Sequence, residues 1–229
     1  MIKVLDLSHY NPVQDWLKVS KEIDCVILKA TQGKSYLDPT FYKNRVDARD
    51  SDILVGAYHF ADGGDVNREV DHFLSKVGEM LEGEFLVLDY EIHLSNPVEW
   101  CEDFLNRCEK KTGIRPLLYI NTSTFKSFKW GDEKFWLASY GVNDGKYHPI
   151  PYPFVLHQYT SRGVCPGING NVDLSRGVSK NDLTALGKPK IVISTPAPVT
   201  PVPEAPVSAQ NEPQSFWQKL ISLIYNLIK

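Results

Sequence analysis

Short apolar runs that end in polar residues, spaced by amphipathic stretches, constrain this chain more than any other feature. The runs fall at 2–7, 25–30, 53–60, 85–91, 117–121, 135–140, 153–159 and 168–174. Four of them carry β-branched or aromatic residues in nearly continuous apolar sequence, the pattern of strands buried on both faces of a parallel sheet. Helix starts are predicted at Asn11-Pro12 and Asn96-Pro97, where an N-cap Asn precedes a first-turn Pro and Gln14 or Glu99 occupies the third position. The second helix runs to Gly113, a natural terminator. Further helices are predicted at 40–51, 66–82 and 122–128. After Phe135 the strand candidates follow one another too closely for crossover helices, so the pattern is five βα units followed by about three strands. Alternating βα units argue for an α/β fold with a parallel sheet or barrel, and eight strands permit closure. About 187 residues is short for a full eightfold barrel. A truncated, irregular barrel is therefore expected, with an open doubly wound sheet as the alternative.

Composition changes near residue 188. Between Pro189 and Pro213 there are seven prolines in 25 residues, and proline fixes φ and removes backbone donors. The expected organisation is a domain at 1–187, an extended Pro-rich linker at 188–214 and a helical tail at 215–229. In the tail Phe216, Trp217, Leu220, Ile221, Leu223, Ile224, Leu227 and Ile228 recur at helical spacing, with Gln218, Lys219, Ser222, Asn226 and Lys229 on the other side. At about 22 Å such a helix falls short of the roughly 30 Å hydrocarbon core, and a helix this short is marginal alone in water. Its two lysines and lack of acids favour contact with an anionic membrane surface; self-association comes next, and folding back onto the barrel is the bland alternative.

Several classes are excluded early. With 25 basic and 28 acidic residues there is no basic surplus for nucleic-acid phosphates. Four cysteines are too few for a disulfide scaffold. Cys101 and Cys108 share a helical face about 10 Å apart, beyond disulfide reach, and core packing is expected for all four. The histidines at 9, 59, 72, 93, 148 and 157 have no metal-ligand spacing. There is no nucleophile elbow, phosphate loop or dinucleotide fingerprint, so neither metal nor cofactor is expected. Met1 leads straight into the first strand without the apolar core of an export signal. The expectation is a protein made in the cytoplasm without a signal peptide, acting outside only after release.

Functional groups in parallel α/β folds collect at the carboxyl ends of strands. Here those ends carry Asp6, Lys29, Tyr58, Asp89 with Glu91, Tyr119, Trp136 with Tyr140, Gln158, and Asp173. Asp89 and Glu91 give the sharpest signal. Residues two apart on a strand share a face, about 6.5–7 Å apart at the backbone, and Phe85 and Val87 precede them on that face. Two acids at an apolar margin do not both ionise easily. One protonated carboxyl and one carboxylate are what glycosidic cleavage requires. Such a pair alone is more often a solvated strand end. Asp6 and Asp173 would bring further carboxylates to the same rim, and Tyr58, Tyr119, Trp136 and Tyr140 would supply flat faces with polar edges that suit a sugar polymer. Tyr119 or Trp136 could instead be buried structure.

The motifs Asp6-Leu-Ser-His-Tyr-Asn11, Lys29-Ala-Thr-Gln-Gly33, Gly56-Ala-Tyr-His-Phe60, Leu88-Asp-Tyr-Glu91, Leu118-Tyr-Ile-Asn121, Trp136-Leu-Ala-Ser-Tyr140 and His157-Gln-Tyr followed by Gly167 and Asn171-Val-Asp173 resemble, in order, those of glycoside hydrolase family 25, the Chalaropsis-type muramidases. The resemblance covers about 1–178. It implies a flattened TIM-like barrel of five βα units plus three strands. It also implies cleavage of the β-1,4 bond between N-acetylmuramic acid and N-acetylglucosamine in bacterial peptidoglycan. Carried over by position, Glu91 matches the proton donor, Asp89 the second catalytic carboxylate, and Asp6 and Asp173 the supporting acids. Tyr58, Tyr119 and Trp136 match substrate-lining positions. Gln32 departs from the Glu usual after the Thr, which puts a secondary polar contact in doubt. Together with the tail, the resemblance suggests a bacteriophage endolysin.

Whether Asp89 attacks directly stays open at this level. Carboxyl separations of about 5–5.5 Å serve a protein nucleophile and about 6.5–9.5 Å an inverting water, and the strand spacing straddles both. The weakly favoured third route has the substrate acetamido carbonyl attack while Asp89 orients it. Alternative functions are a carbohydrate-binding pseudoenzyme of the same fold, against which the intact acid pair argues, and a glycosidase acting on chitin or a related polymer.

Overall fold

The computed structural model describes residues 1–187. The sequence expectations for 188–214 and 215–229, including the amphipathic tail helix, lie outside the described residues.

Eight strands close into a barrel: β1 (Ile2–Leu7), β2 (Cys25–Gln32), β4 (Leu54–Phe60), β5 (Phe85–Asp89), β6 (Leu117–Asn121), β7 (Phe135–Ala138), β8 (Leu156–Gly163) and β9 (Val172–Gly177). A two-residue β3 (Tyr36–Leu37) folds back antiparallel on the end of β2. Around the barrel the order is β1-β9-β8-β7-β6-β5-β4-β2, and β1 pairs with β2 to close it. Every neighbouring pair from β1–β2 round to β7–β8 is parallel, whereas β8–β9 and β9–β1 are antiparallel. Helices α1 (Trp16–Val19), α2 (Phe41–Asp50), α3 (Val66–Val77), α4 (Pro97–Thr112) and α5 (Thr122–Ser127) follow β1, β3, β4, β5 and β6, and a one-turn α6 (Lys180–Thr184) follows β9. The five βα units plus three strands of the sequence reading are therefore present, and the open-sheet alternative is not.

Strand alternation sorts the apolar residues into two layers. Val4, Cys25, Ile27, Phe85, Val87, Leu117 and Leu156 fill the barrel, while Leu5, Val26, Leu28, Leu86, Leu88 and Leu118 pack outward against helix residues such as Phe41, Phe73 and Phe104. Each such side chain contributes roughly 1.5–3 kcal/mol on full burial. All four cysteines are free and buried, as expected. The barrel filling is tight. A methyl group on Gly56 would lie 2.7 Å from the Phe85 ring, which is buried and has nowhere to move. Gly56→Ala is expected to cost about 1–3 kcal/mol by overpacking. A urea midpoint unchanged from wild type would contradict that reading.

Several boundaries differ from the sequence reading, each for a local reason. The first helix is capped by Asp15, whose carboxylate accepts from the Lys18 amide at 3.1 Å, and not by Asn11. Asn11 instead closes a turn with Ser8, and the amides of Gln14 and Asp15 donate to the Gly167 carbonyl. The third helix stops at Val77 because Gly78 takes φ +63°. The strand in the run 153–159 begins at Leu156, with the Val155 amide already donating to the Phe135 carbonyl: Pro153 has no N–H to give, and Tyr152 and Phe154 pack on the outside of the barrel. That strand continues to Gly163 through polar residues, because its antiparallel partner β9 runs from Val172 to Gly177 rather than over 168–174. The fourth βα unit behaves as predicted, with Asn96 and Pro97 opening α4 and Gly113 closing it in the left-handed region at φ +75°.

Candidate active site

The inward-facing row at the end of the barrel where the parallel strands finish and antiparallel β9 begins is polar, in contrast to the apolar filling beneath. It comprises Asp6 on β1, Lys29 on β2, Tyr58 on β4, Asp89 on β5, Tyr119 on β6, Gln158 on β8 and Asp173 on β9. Strand register brings distant residues side by side: Asp6 lies opposite Asp173, Lys29 opposite Tyr58, and Asp89 opposite Tyr119.

Gln158 ties one side of this ring together. Its carbonyl oxygen accepts from the hydroxyls of Tyr119 and Tyr140, both at 2.7 Å, and its amide nitrogen donates to Asp6 Oδ2 at 3.0 Å. With the phenol protons spent on Gln158, the ring presents oxygen lone pairs from Tyr119 and Tyr140. Burial, followed by nearby carboxylates, pushes both phenols up, so they stay protonated. Tyr58, on the far side, is pushed up by the same causes. Trp136 takes the buried alternative. It is 2% exposed, donates its indole N–H to Ser175 Oγ at 3.0 Å, and supports Tyr119 edge-on at a centroid distance of 4.6 Å. It forms the floor beneath Tyr119 and has no open face for a sugar.

The acid pair sits at the end of β5. The strand ends at Asp89, not at 91, so Glu91 begins the following loop; Tyr90 keeps the alternation by pointing outward into the helix layer and donating its amide to the Tyr119 carbonyl. Asp89 is 7% exposed, and its Oδ1 is buried without a hydrogen-bond partner among the described residues. Glu91 reaches solvent. Burial and then the Glu91 charge push the Asp89 carboxyl well above its usual range, while Lys29 pulls it down. Burial and then Asp173 raise Glu91, again opposed by Lys29. Asp6 is raised strongly by burial and by Asp173 against the pull of Gln158, and Asp173 is raised by burial. Four carboxyls that cannot all be charged at once share protons as a group. Perturbed acids concentrated in a strand-end mouth are the physical mark of a reactive site.

Lys29 was placed at a strand end in the sequence reading but given no role, although its direction could be read: Cys25, Ile27 and Lys29 alternate, so a residue two beyond a core Ile must face the barrel interior. A supporting triad was also missed. His59 points outward, bonding Thr31 at 2.8 Å and Glu69 at 3.0 Å, and Glu69 accepts from the amides of Asp62 and Gly64. This fixes the loop that follows Tyr58.

A closed α/β barrel whose strand-end mouth holds paired, proton-sharing carboxyls between tyrosines has the architecture of a glycoside hydrolase. Comparison with known proteins narrows the class. Residues 5–168 match the family model of Glycosyl hydrolases family 25, and the chain belongs to that family. It is 27% identical over 201 residues to a lysozyme of Streptomyces globisporus, covering 76% of this chain and 67% of that protein. It is 32% identical over 145 residues to the N,O-diacetylmuramidase of a Chalaropsis species, covering 55% of this chain and 69% of the other. Among solved structures, the catalytic domain of an endolysin from a Listeria monocytogenes bacteriophage superimposes with a TM-score of 0.71 at 26% identity, covering 80% of this chain and 97% of that one.

Proposed function

We propose that this glycoside hydrolase is a muramidase that cuts the β-1,4 bond between N-acetylmuramic acid and N-acetylglucosamine in bacterial peptidoglycan, with Glu91 as proton donor and Asp89 as its partner. The observation that carries the reading is the buried, unpartnered Oδ1 of Asp89 next to solvent-reaching Glu91. An unsatisfied buried acceptor costs about 1–3 kcal/mol, and the N–H of a 2-acetamido group would satisfy it. That bond favours the Asp89 carboxylate, so the proton the pair retains belongs on Glu91 when substrate is bound. Glu91 then protonates the glycosidic oxygen as its bond to C1 breaks, while the acetamido carbonyl oxygen closes on C1. In the second step water adds to C1 as the bond from C1 to the acetamido oxygen breaks, restoring the acetamido group, and the water's proton passes to the Glu91 carboxylate. In this scheme Asp6 and Asp173 support the pair, with Gln158 fixing Asp6, and Tyr58, Tyr119 and Tyr140 line the sugar.

Sugar released from purified peptidoglycan should carry new muramic acid reducing ends by mass spectrometry. Proton NMR of the first-formed product should show the retained anomer. An inverted anomer rules out both retaining schemes. Cleavage of chitin oligomers without cleavage of peptidoglycan favours the chitinase alternative, and binding without cleavage the pseudoenzyme. The likeness to a phage endolysin domain supports a role in host lysis, in which the enzyme is made in the bacterial cytoplasm and reaches the wall after release. Membrane-surface contact or self-association through 215–229 belongs to the same proposal and rests on that segment's apolar spacing and two lysines.

A further inference from the structure

Lys29 is the only lysine or arginine in the inward-facing row at the strand ends, among the described residues. Among the described residues its ammonium has no carboxylate partner within 4.0 Å and is held instead by neutral groups: Gln32 Oε1 accepts from it at 2.8 Å, the Phe60 ring lies 4.7 Å away and the Tyr36 ring 5.7 Å. Gln32 is itself braced, donating its amide to Asp62 Oδ1 at 3.2 Å. The charge is thus positioned without being neutralised.

The carboxylates acting on Lys29 are Asp89 and Glu91 from the β5 end, Asp38 after β3 and Asp62 after β4. Two of these have other partners. Asp38 accepts from the hydroxyl of Thr40 at 2.6 Å and lies 2.8 Å from His9 Nδ1, and Asp62 is bonded to Gln32. On the adjacent β1, Asp6 is turned to Gln158 and faces Asp173 across the strand pair. The phenols of Tyr36 and Tyr58 flank the ammonium and stay neutral. That leaves Asp89 and Glu91, which have no other cation acting on them.

We propose that Lys29 is a positioning residue for the acid pair: its ammonium, held by Gln32 and the Phe60 ring and not by a carboxylate, supports the charged form of Asp89 across the mouth. The proposal rests on the roles given above to Asp89 and Glu91. The Phe60 ring, 4.7 Å from the ammonium, belongs to the β4 residue paired with Asp89 on β5, so the cation shares the mouth with a carboxyl that burial raises, and an opposite charge there favours the anion. Removing the cation destabilises the Asp89 carboxylate, so ionisation moves to higher pH. The acid limb of the rate profile should move with it.

The test uses the full chain and two readouts. In carboxyl-labelled protein, with the Asp89 signal assigned by its loss in Asp89→Asn, carbon NMR titration of Lys29→Met should place Asp89 about one pH unit higher than wild type. The acid limb of peptidoglycan cleavage should shift in the same direction. Lys29→Arg keeps the charge and should restore both. Gln32→Glu leaves Lys29 in place but sets a carboxylate against its ammonium, so it should give a smaller shift of the same sign; this arm holds even if Lys29→Met folds poorly. An Asp89 titration that does not move in either Lys29→Met or Gln32→Glu overturns the proposal, as does a fall in kcat with an unmoved acid limb, which indicates a packing role only. A wild-type enzyme that leaves peptidoglycan uncut defeats the muramidase reading, while the NMR titration still decides the role of Lys29.

Discussion

Glu91→Gln is expected to lower peptidoglycan cleavage by about 10²–10⁴-fold, the usual contribution of a general acid, with thermal unfolding and wall binding unchanged. The side chain reaches solvent from the loop after β5 and is not part of the barrel packing, so removing its proton removes chemistry and little else. Steady-state release of reducing ends, followed beside circular dichroism, is the measurement; a loss below tenfold takes Glu91 out of the acid role. Asp89→Asn should behave differently, since an acetamido nucleophile still attacks without its carboxylate partner, and residual cleavage with a retained anomer is the expected result. A sugar ester trapped on Asp89 would establish direct attack instead.

The second large effect concerns stability and lies at the opposite end of the barrel. Arg45 on α2 reaches Glu84, just before β5, through Nε at 3.0 Å and Nη2 at 2.5 Å, and also donates to the carbonyls of Val77 and Glu79. Glu84 is 4% exposed and accepts a further bond from the Leu81 amide. Burial alone would raise this carboxyl, but the Arg45 hydrogen bonds, the Leu81 amide and the nearby guanidinium charges take it below the ordinary glutamate value. A lowered carboxyl stabilises the fold above its unfolded value of about 4.3, and that contribution is lost as pH falls through the lower, folded value. Arg45→Met removes the hydrogen-bonded partner, leaving the interior carboxylate only the Leu81 amide and the more distant Arg49 at 3.8 Å, and should cost up to about 3–5 kcal/mol at pH 7. Without the Arg45 bonds burial weighs more on Glu84 and its value rises, so the deficit should shrink as pH falls towards 4. Urea unfolding at the two pH values checks both magnitude and sign; a deficit under about 1 kcal/mol at pH 7 would show that the pair contributes no more than a surface contact.

Much of the barrel could be read from residue order, because closed parallel strands need long apolar runs and their helices need amphipathic ones. The count of βα units and the termination of α4 at Gly113 followed from that pattern. What could not be read were choices made by partners remote in sequence. Asn11-Pro12 has a good local helix start, but the backbone there is used to bond Gly167, and Asp15 inherits the cap. The run containing Pro153 is apolar enough for a strand, yet β8 begins where β7 and β9 can pair with it. In the mouth, Asp89 and Glu91 could be singled out only together with the acids and tyrosines expected at the same rim, since such a pair alone is more often a solvated strand end. Trp136 shows the limit: an aromatic at a strand end can be wall or floor, and only packing against Tyr119 and Ser175 settles that it is floor. Lys29 was seen at its strand end but given no role, because a lysine after an apolar run usually marks where a strand meets water.

The barrel closes where its first strand lies between its second and its last, and there Asp6 meets Asp173. A ribosome delivers these two residues at opposite ends of the synthesis of the described domain. Until β9 arrives, β1 lacks one neighbour, Asp6 lacks its acidic counterpart, and the mouth has one side missing. Contacts of such long sequence separation slow folding, because loop closure must precede the interactions that reward it. A chain cut short before β9 would therefore hold Asp89 and Glu91 in a mouth with one wall absent, so the acids come together only when residues from both ends of the domain have met.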